Sequence, residues 1–494
     1  MEEFSMSKNV LAFDFGASSG RAIIGSYDDN KISLKEVHRF PNDPVYVNGT
    51  LYWDVLRLLF EIKQGILAAH HNGGFDSIGI DTWGLDFGLL DKDGRLLENP
   101  VHYRDCRTDN IMEEVFQIVP KEEIYQKTGT QFMNFNTIFQ LYYLAKYRKD
   151  LLDRADCFLL FPDLLAYFLT GEKTVEYTHA STTQLINAET REWDFDLIDK
   201  LGIPRRLFPN IVKPGTQKGM LSKEICDELG VPSVPVCAVG SHDTASAVMA
   251  VPSEKEDFIY ISCGTWSLFG TEAKEPYINE KSQKYNLTNE GGYNDTIRFL
   301  KNIMGLWLIQ ESRRQWIREG FAVTYGDLEK EALAEEAFKC FIDSDYPIFG
   351  KPGNLPLHIK EYCKNTNQYV PERRGEVMRC IYESLALKYR YAFENIQDVT
   401  GKKYEVIHIV GGSTKDNLLC QMTANSCGVD VVAGPIEATA LGNVAAQLIA
   451  GGDIKDLKEA RQIIKNSETT TTYSPKDVEA WDKAYQEFLK LDIH

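Results

Sequence analysis

The chain has 494 residues, 43% of them apolar and 26% charged, with a formal net charge of −18 at pH 7. That length exceeds a single hydrophobic core and predicts about two domains of ordinary globular composition. The acidic balance makes nucleic acid and an anionic membrane surface poor partners. Any phosphate site must therefore work through backbone N–H groups, helix N-termini and a divalent cation rather than a basic field.

In chain order, MEEFSMSKNV at the N-terminus has neither a basic n-region nor an apolar h-region. It predicts no signal peptide, and no apolar run reaches the ~18 residues of a membrane span, so a cytoplasmic setting is expected. Val10–Phe15 and Ala22–Tyr27 read as two apolar strands around Asp14-Phe15-Gly16-Ala17-Ser18-Ser19-Gly20-Arg21. In that loop Gly16 and Gly20 are expected to permit unusual backbone angles, with Ser18 and Ser19 as hydroxyl donors and Asp14 as a holder of hydrated Mg2+. It lacks the GK[ST] of a P-loop and leads into a strand, so a plain hairpin turn is the competing reading. Trp53–His71 shows helical spacing of Val55, Leu59, Ile62 and Ile66. Asp76–Asp81 reads as a buried strand running into Thr82-Trp83-Gly84-Leu85-Asp86, where Trp83 faces either a sugar or the core.

Val234–Gly240 predicts a strand that meets Ser241-His242-Asp243-Thr244 and an Ala-rich helix. Asp243 there reads either as a general base for a hydroxyl nucleophile or as a helix cap. A His242–Asp243–Ser246 hydrolase triad is disfavoured, because neighbouring residues rarely converge in that geometry and no GxSxG elbow is present. About half the chain length beyond the first hairpin, Asp257–Ala273 repeats its pattern, with Cys263-Gly264-Thr265-Trp266-Ser267 at the turn. The repetition favours phosphate binding at both turns and two lobes gripping one polyphosphate. Val251-Pro252-Ser253 marks the expected boundary, giving domains 1–250 and 251–494 that are joined tightly and able to hinge. Val406–Val410 predicts a strand entering Gly411-Gly412-Ser413, then a helix over Asn417–Ala424. The ten cysteines show no CxxC or Cys/His ligand spacing, so buried reduced thiols and no zinc site are expected.

The strings DFGASSGR, SIGIDTWGLDF, EYTHASTTQL, SHDTASAV, SCGTWSL, LTNEGG, KNIMGLWL, HIVGG and EATALGN together resemble the FGGY carbohydrate kinases of the actin/hexokinase/Hsp70 ATPase superfamily, from about Val10 to about Pro475. The resemblance implies an α/β fold of two ribonuclease-H-like (actin-like ATPase) domains flanking a central cleft. It implies ATP and Mg2+ as cofactors and a small ketose as partner, with L-rhamnulose the expected sugar and L-fuculose or D-xylulose the alternatives. It places the first phosphate loop on Ala17, Ser18, Ser19, Gly20 and Arg21, the second on Thr265, and the nucleotide also on Gln310 and Gly412. Asp243 falls on the catalytic base, Gly84, His242, Thr244 and Asn302 on sugar contacts, and Asp14 on the Mg2+-associated acid. Ser413 stands where relatives often have a third glycine and is expected to add bulk and a hydroxyl near the ribose. Cys363 and Cys380 resemble a pair that can be bridged in relatives, and the expected reducing compartment disfavours a stable disulfide here.

Overall fold

A computed structural model describes residues 8–493; of the N-terminal stretch read for a signal peptide, residues 1–7 lie outside them. The chain forms two compact units. The first takes residues up to Glu254 together with Glu272–Phe299 and Ala438–Glu468, and the second takes Lys255–Thr271, Leu300–Glu437 and the chain from Thr469. The expected domains 1–250 and 251–494 follow chain order, whereas the contacts return two later stretches to the first unit.

In the first unit the sheet order is Lys31–Pro41, Ser19–Asp28, Lys8–Phe15, Ile78–Thr82, Pro235–Cys237, Gln217–Met220. Lys8–Phe15 pairs antiparallel with Ser19–Asp28 and parallel with Ile78–Thr82. Its apolar run is continuous because both faces are covered, as parallel sheets require. On one face helix Val55–His71 lies so close that a Cβ on Gly65 would come within 2.6 Å of the Phe13 ring. On the other, helix Ala438–Gly451 sets Val444 over Gly25 and Asn443 with Gln447 over Gly79. Gln447 also accepts from Ser77 Oγ at 2.7 Å and donates to the Leu11 carbonyl at 3.2 Å. Asp54 caps the first helix by accepting from the Arg57 N–H, and Leu58 with Glu61, rather than the expected Leu59, completes its buried face.

The second unit repeats this build. Ile259–Cys263 pairs antiparallel with Trp266–Ala273 and parallel with Val406–Val410, which pairs parallel with Asp430–Ala433. A hairpin on one side of the first strand and parallel neighbours on the other is the ribonuclease-H-like pattern, present in each unit. Among the described residues no helix is long and apolar enough to cross a membrane.

Candidate active site

In the first unit two carboxylates meet by strand register. Asp14 and Asp81 are parallel-strand partners and point to the same face. Arg21, opposite Asp14 in the hairpin, donates to the Asp14 carboxylate. Asp81 is fully buried; its Oδ2 accepts from Asn443 Nδ2 at 2.6 Å, and its Oδ1 has no hydrogen-bond partner among the described residues. Burial and the neighbouring Asp14 charge push the Asp81 carboxyl well above the usual carboxylate range.

Asp243 opens helix Asp243–Met249 at its first turn; the N-cap position belongs to His242, whose side chain makes no capping bond. Thr244 donates to Asp243 Oδ1 from its backbone N–H (2.5 Å) and its hydroxyl (3.2 Å). Burial raises the Asp243 carboxyl, His242 pulls it down and Asp14 raises it again, for a net upward shift. The Asp243 side chain keeps 31% exposure, so water offsets part of the burial cost.

The segments around Asp243 are brought together from across the unit. Thr82 N–H donates to the Ser241 carbonyl at 2.9 Å, which sets Gly84 beside the loop. A Cβ on Gly84 would lie 3.4 Å from Thr182 Oγ1 and 3.5 Å from His242 Nε2. Arg298, completely buried, approaches His242 Nδ1 through Nη2 at 3.1 Å, holds the Gly291 carbonyl through Nε at 2.8 Å and faces Glu290 at 3.2 Å. A guanidinium only donates, so Nδ1 accepts and the His242 proton sits on Nε2, 3.5 Å from Asp243 Oδ1. Glu176 accepts from the N–H groups of Thr178 (2.7 Å), His179 (3.2 Å) and Ser241 (3.1 Å) and from the Thr178 hydroxyl (2.6 Å). Burial outweighs these four bonds and lifts its carboxyl to about 7. Trp83 belongs to the core: 6% exposed, it stacks near Trp53 and Phe161 and donates to Asp86 at 2.8 Å.

The first loop is a tight turn, with Gly16 N–H donating to the Ser19 carbonyl at 2.9 Å and Asn42 Nδ2 to the Gly16 carbonyl at 2.9 Å. The expected reason for its glycines is corrected. Neither Gly16 nor Gly20 has a positive φ; Gly20 is required because a Cβ there would sit 2.3 Å from the Phe40 ring. Ala17 and Ser19 are half-buried and Ser18 is exposed.

In the second unit, the N–H groups of Gly305 and Trp307 both donate to the Thr265 carbonyl at 3.2 Å, and Leu306 N–H donates to the Gly264 carbonyl at 3.1 Å. This ties the hairpin turn to helix Trp307–Arg318, which carries Gln310; Asn302 lies on the preceding strand Ile297–Met304. Pairing of Ser262 with Val410 brings Gly411-Gly412 alongside the same turn. The positive φ falls on Gly411 (89°), not Gly412, and a Gly411 Cβ would lie 3.2 Å from the Cys263 carbonyl oxygen. Gly412 is exposed, and a Cβ there would meet nothing within 4 Å. Ser413 is 1% exposed and turned inward beside Cys263, so it adds no bulk at the open surface of this turn.

The N-terminal domain of the FGGY family of carbohydrate kinases matches residues 9–250, and the C-terminal domain of that family matches residues 259–451. The chain belongs to the FGGY family of carbohydrate kinases. A rhamnulokinase of Bacteroides thetaiotaomicron is 44% identical over 484 residues, covering 98% of this chain and 99% of that one. A rhamnulokinase of Oceanobacillus iheyensis is 45% identical over 475 residues, covering 96% and 100%. Among solved structures, ligand-bound xylulose kinase from Lactobacillus acidophilus superposes with a TM-score of 0.82 at 19% identity, covering 98% and 97%. Plasmodium falciparum glycerol kinase with ADP gives 0.77 at 16%, covering 98% and 97%. These last two likenesses concern the fold alone.

As an FGGY carbohydrate kinase the protein is an enzyme that phosphorylates a carbohydrate. In the first unit Asp14 and Ala17–Arg21 share one hairpin, and Gly84 lies beside the loop of His242, Asp243 and Thr244. In the second, the Thr265 turn meets the start of the helix that carries Gln310 and the Gly411-Gly412 turn, with Asn302 on the preceding strand. Sequence motifs alone assign no role to Asp81, Glu176, Arg298, Glu290 or Asn443. Four of them lie within the strings SIGIDTWGLDF, EYTHASTTQL, LTNEGG and EATALGN, where their signal was available; Arg298 is a lone buried arginine in a strand and carried none.

Proposed function

We propose that the protein transfers the γ-phosphoryl group of ATP to the 1-hydroxyl of L-rhamnulose, giving ADP and L-rhamnulose 1-phosphate, in L-rhamnose catabolism. The observation that carries this reading is the near-full-length similarity to rhamnulokinases at 44% and 45% identity. Its chemistry fits Asp243. Thr244 occupies Oδ1, leaving Oδ2 to take the proton from the sugar hydroxyl as that oxygen bonds to phosphorus and the bond to the departing ADP oxygen breaks. The Nε2–H of His242, oriented by Arg298, faces the same carboxylate and favours its charged form. Gly84, His242, Thr244 and Asn302 are assigned to the sugar. Ala17, Ser18, Ser19, Gly20, Arg21 and Thr265 are assigned to the phosphates, and Gln310 and Gly412 to the remainder of the nucleotide.

Mg2+ fits the acidic pair. Asp81 Oδ1 is an orphaned buried acceptor beside Asp14, and no His, Cys or further Asp or Glu groups closely with the two among the described residues. That donor set suits an ion that keeps most of its waters. Asp14 and Asp81 would hold it, and it would supply charge neutralisation for the triphosphate on a chain of net charge −18.

The test is ADP release over L-rhamnulose, L-fuculose, D-xylulose and glycerol. L-rhamnulose should give the highest kcat/KM; a tenfold preference for another ketose would overturn the sugar and leave the kinase. Excess EDTA should abolish turnover, and full activity in its presence would remove the metal from this account.

A further inference from the structure

Three cysteines that are far apart in sequence converge in the second unit. Cys340 lies on the loop after helix Tyr325–Ala334, Cys363 on helix Leu355–Asn365 and Cys380 on helix Arg374–Thr400. Their exposures are 4%, 0% and 2%. Their Sγ atoms all lie within 4.8 Å of one another. An ion bound to three thiolates at about 2.3 Å in a trigonal plane needs sulfurs about 4.0 Å apart. The observed upper bound of 4.8 Å spans that spacing.

The surrounding backbone holds the triangle in place. Phe341, next to Cys340, exchanges two hydrogen bonds with the Gln368 amide, 2.8 Å each, just beyond the helix of Cys363. Ile342 N–H donates to Ser384 Oγ at 2.9 Å, one turn along the helix from Cys380. Asp343 N–H approaches the hydroxyl of Tyr362, the neighbour of Cys363, at 3.4 Å. The loop is thus fastened to both helices within three residues of its cysteine. A single disulfide would use two sulfurs and leave the third unexplained, and ordinary apolar packing does not ask for three thiols around one point.

From this triangle we propose a metal site: Cys340, Cys363 and Cys380 form a three-coordinate thiolate site for a soft d10 cation of the Cu(I) class. No His, Asp or Glu joins the group as a fourth ligand among the described residues, which disfavours four-coordinate Zn2+. Each ligating thiol releases its proton to solvent on binding, and no electron transfer is involved. The ion joins one loop and two helices of the second unit.

The full-length reduced protein is titrated anaerobically with Cu(I) against a chromophoric Cu(I) chelator, with Zn2+ in a parallel arm. One tight Cu(I) per chain is expected, with X-ray absorption showing three sulfur neighbours. Cys340→Ser should weaken that affinity on the order of a hundredfold or more, while Cys106→Ser, at an exposed cysteine, should not change it. Cys340→Ala and a melting curve separate ligand loss from unfolding. Equal Cu(I) affinity in folded wild type and Cys340 variants, or tight Zn2+ without Cu(I), overturns the assignment.

Discussion

Burial and the Asp14 charge favour the protonated form of the Asp243 carboxyl over the charged one, more than His242 and Thr244 favour the charge. The sign has two consequences. Activity is lost as pH falls through the raised folded-state value, so the acid limb of kcat should lie above the ordinary carboxylate value of about 4. Stability runs the other way: the folded state holds the proton more tightly than the unfolded chain, so charging Asp243 costs stability as pH rises through the same range. Asp243→Asn should therefore lower kcat by about 10²–10⁴-fold while melting at or above the wild-type temperature at pH 7. Near-normal turnover in a folded Asp243→Asn protein would remove the base. Arg298 is tested separately. Lysine keeps its charge but loses the planar fork that reaches both the Gly291 carbonyl and His242 Nδ1. Arg298→Lys should reduce kcat by about tenfold, roughly 1.4 kcal/mol, with ATP affinity unchanged. An unchanged kcat would mean that Arg298 does not orient His242.

Between elements, the helix carrying Asp243 is positioned by a glycine crossing. Gly442, on helix Ala438–Gly451, meets helix Asp243–Met249 so closely that a Cβ would sit 1.8 Å from the Ser246 carbonyl oxygen. Backbone cannot rotate aside as a side chain can, so the helices must separate. Gly442→Ala should destabilise by about 1–3 kcal/mol or more and lower kcat with it, since Asp243 moves with its helix. A wild-type melting curve for that variant would show that the crossing is looser than these distances. Gly74 makes the contrast: its φ is positive but a Cβ there would meet nothing within 4 Å among the described residues, so it answers to backbone conformation.

For the molecule as a whole, the first unit is not a continuous stretch of chain. Helix Ala438–Gly451 covers a face of its sheet and supplies Asn443 to Asp81 and Gln447 to Ser77 and Leu11. A fragment ending at Glu254 would leave that face and the buried Asp81 uncovered. It should fail to give a cooperative melting transition, and adding residues 438–468 through a linker should improve it. A cooperatively folded fragment ending at Glu254 would refute the division into these units.

The sequence by itself determined the repeated strand–turn–strand units, the α/β class, the family and the turns around Gly16, Gly264 and Gly411, because short continuous apolar runs and glycine punctuation are local signals. Trp83 shows the limit: its composition allowed a sugar face or a core, and only packing against Trp53 and Phe161 chose the core. Ser413 likewise read as bulk near a ribose until its side chain was placed inward. Tertiary structure alone decided the pairing of Asp14 with Asp81, the support of His242 by Arg298, the return of helix Ala438–Gly451 to the first unit and the convergence of Cys340, Cys363 and Cys380. Each of these joins residues whose separation along the chain carries no periodicity, so no local pattern announces them, and they exist only once long-range burial has fixed strand register and helix crossing.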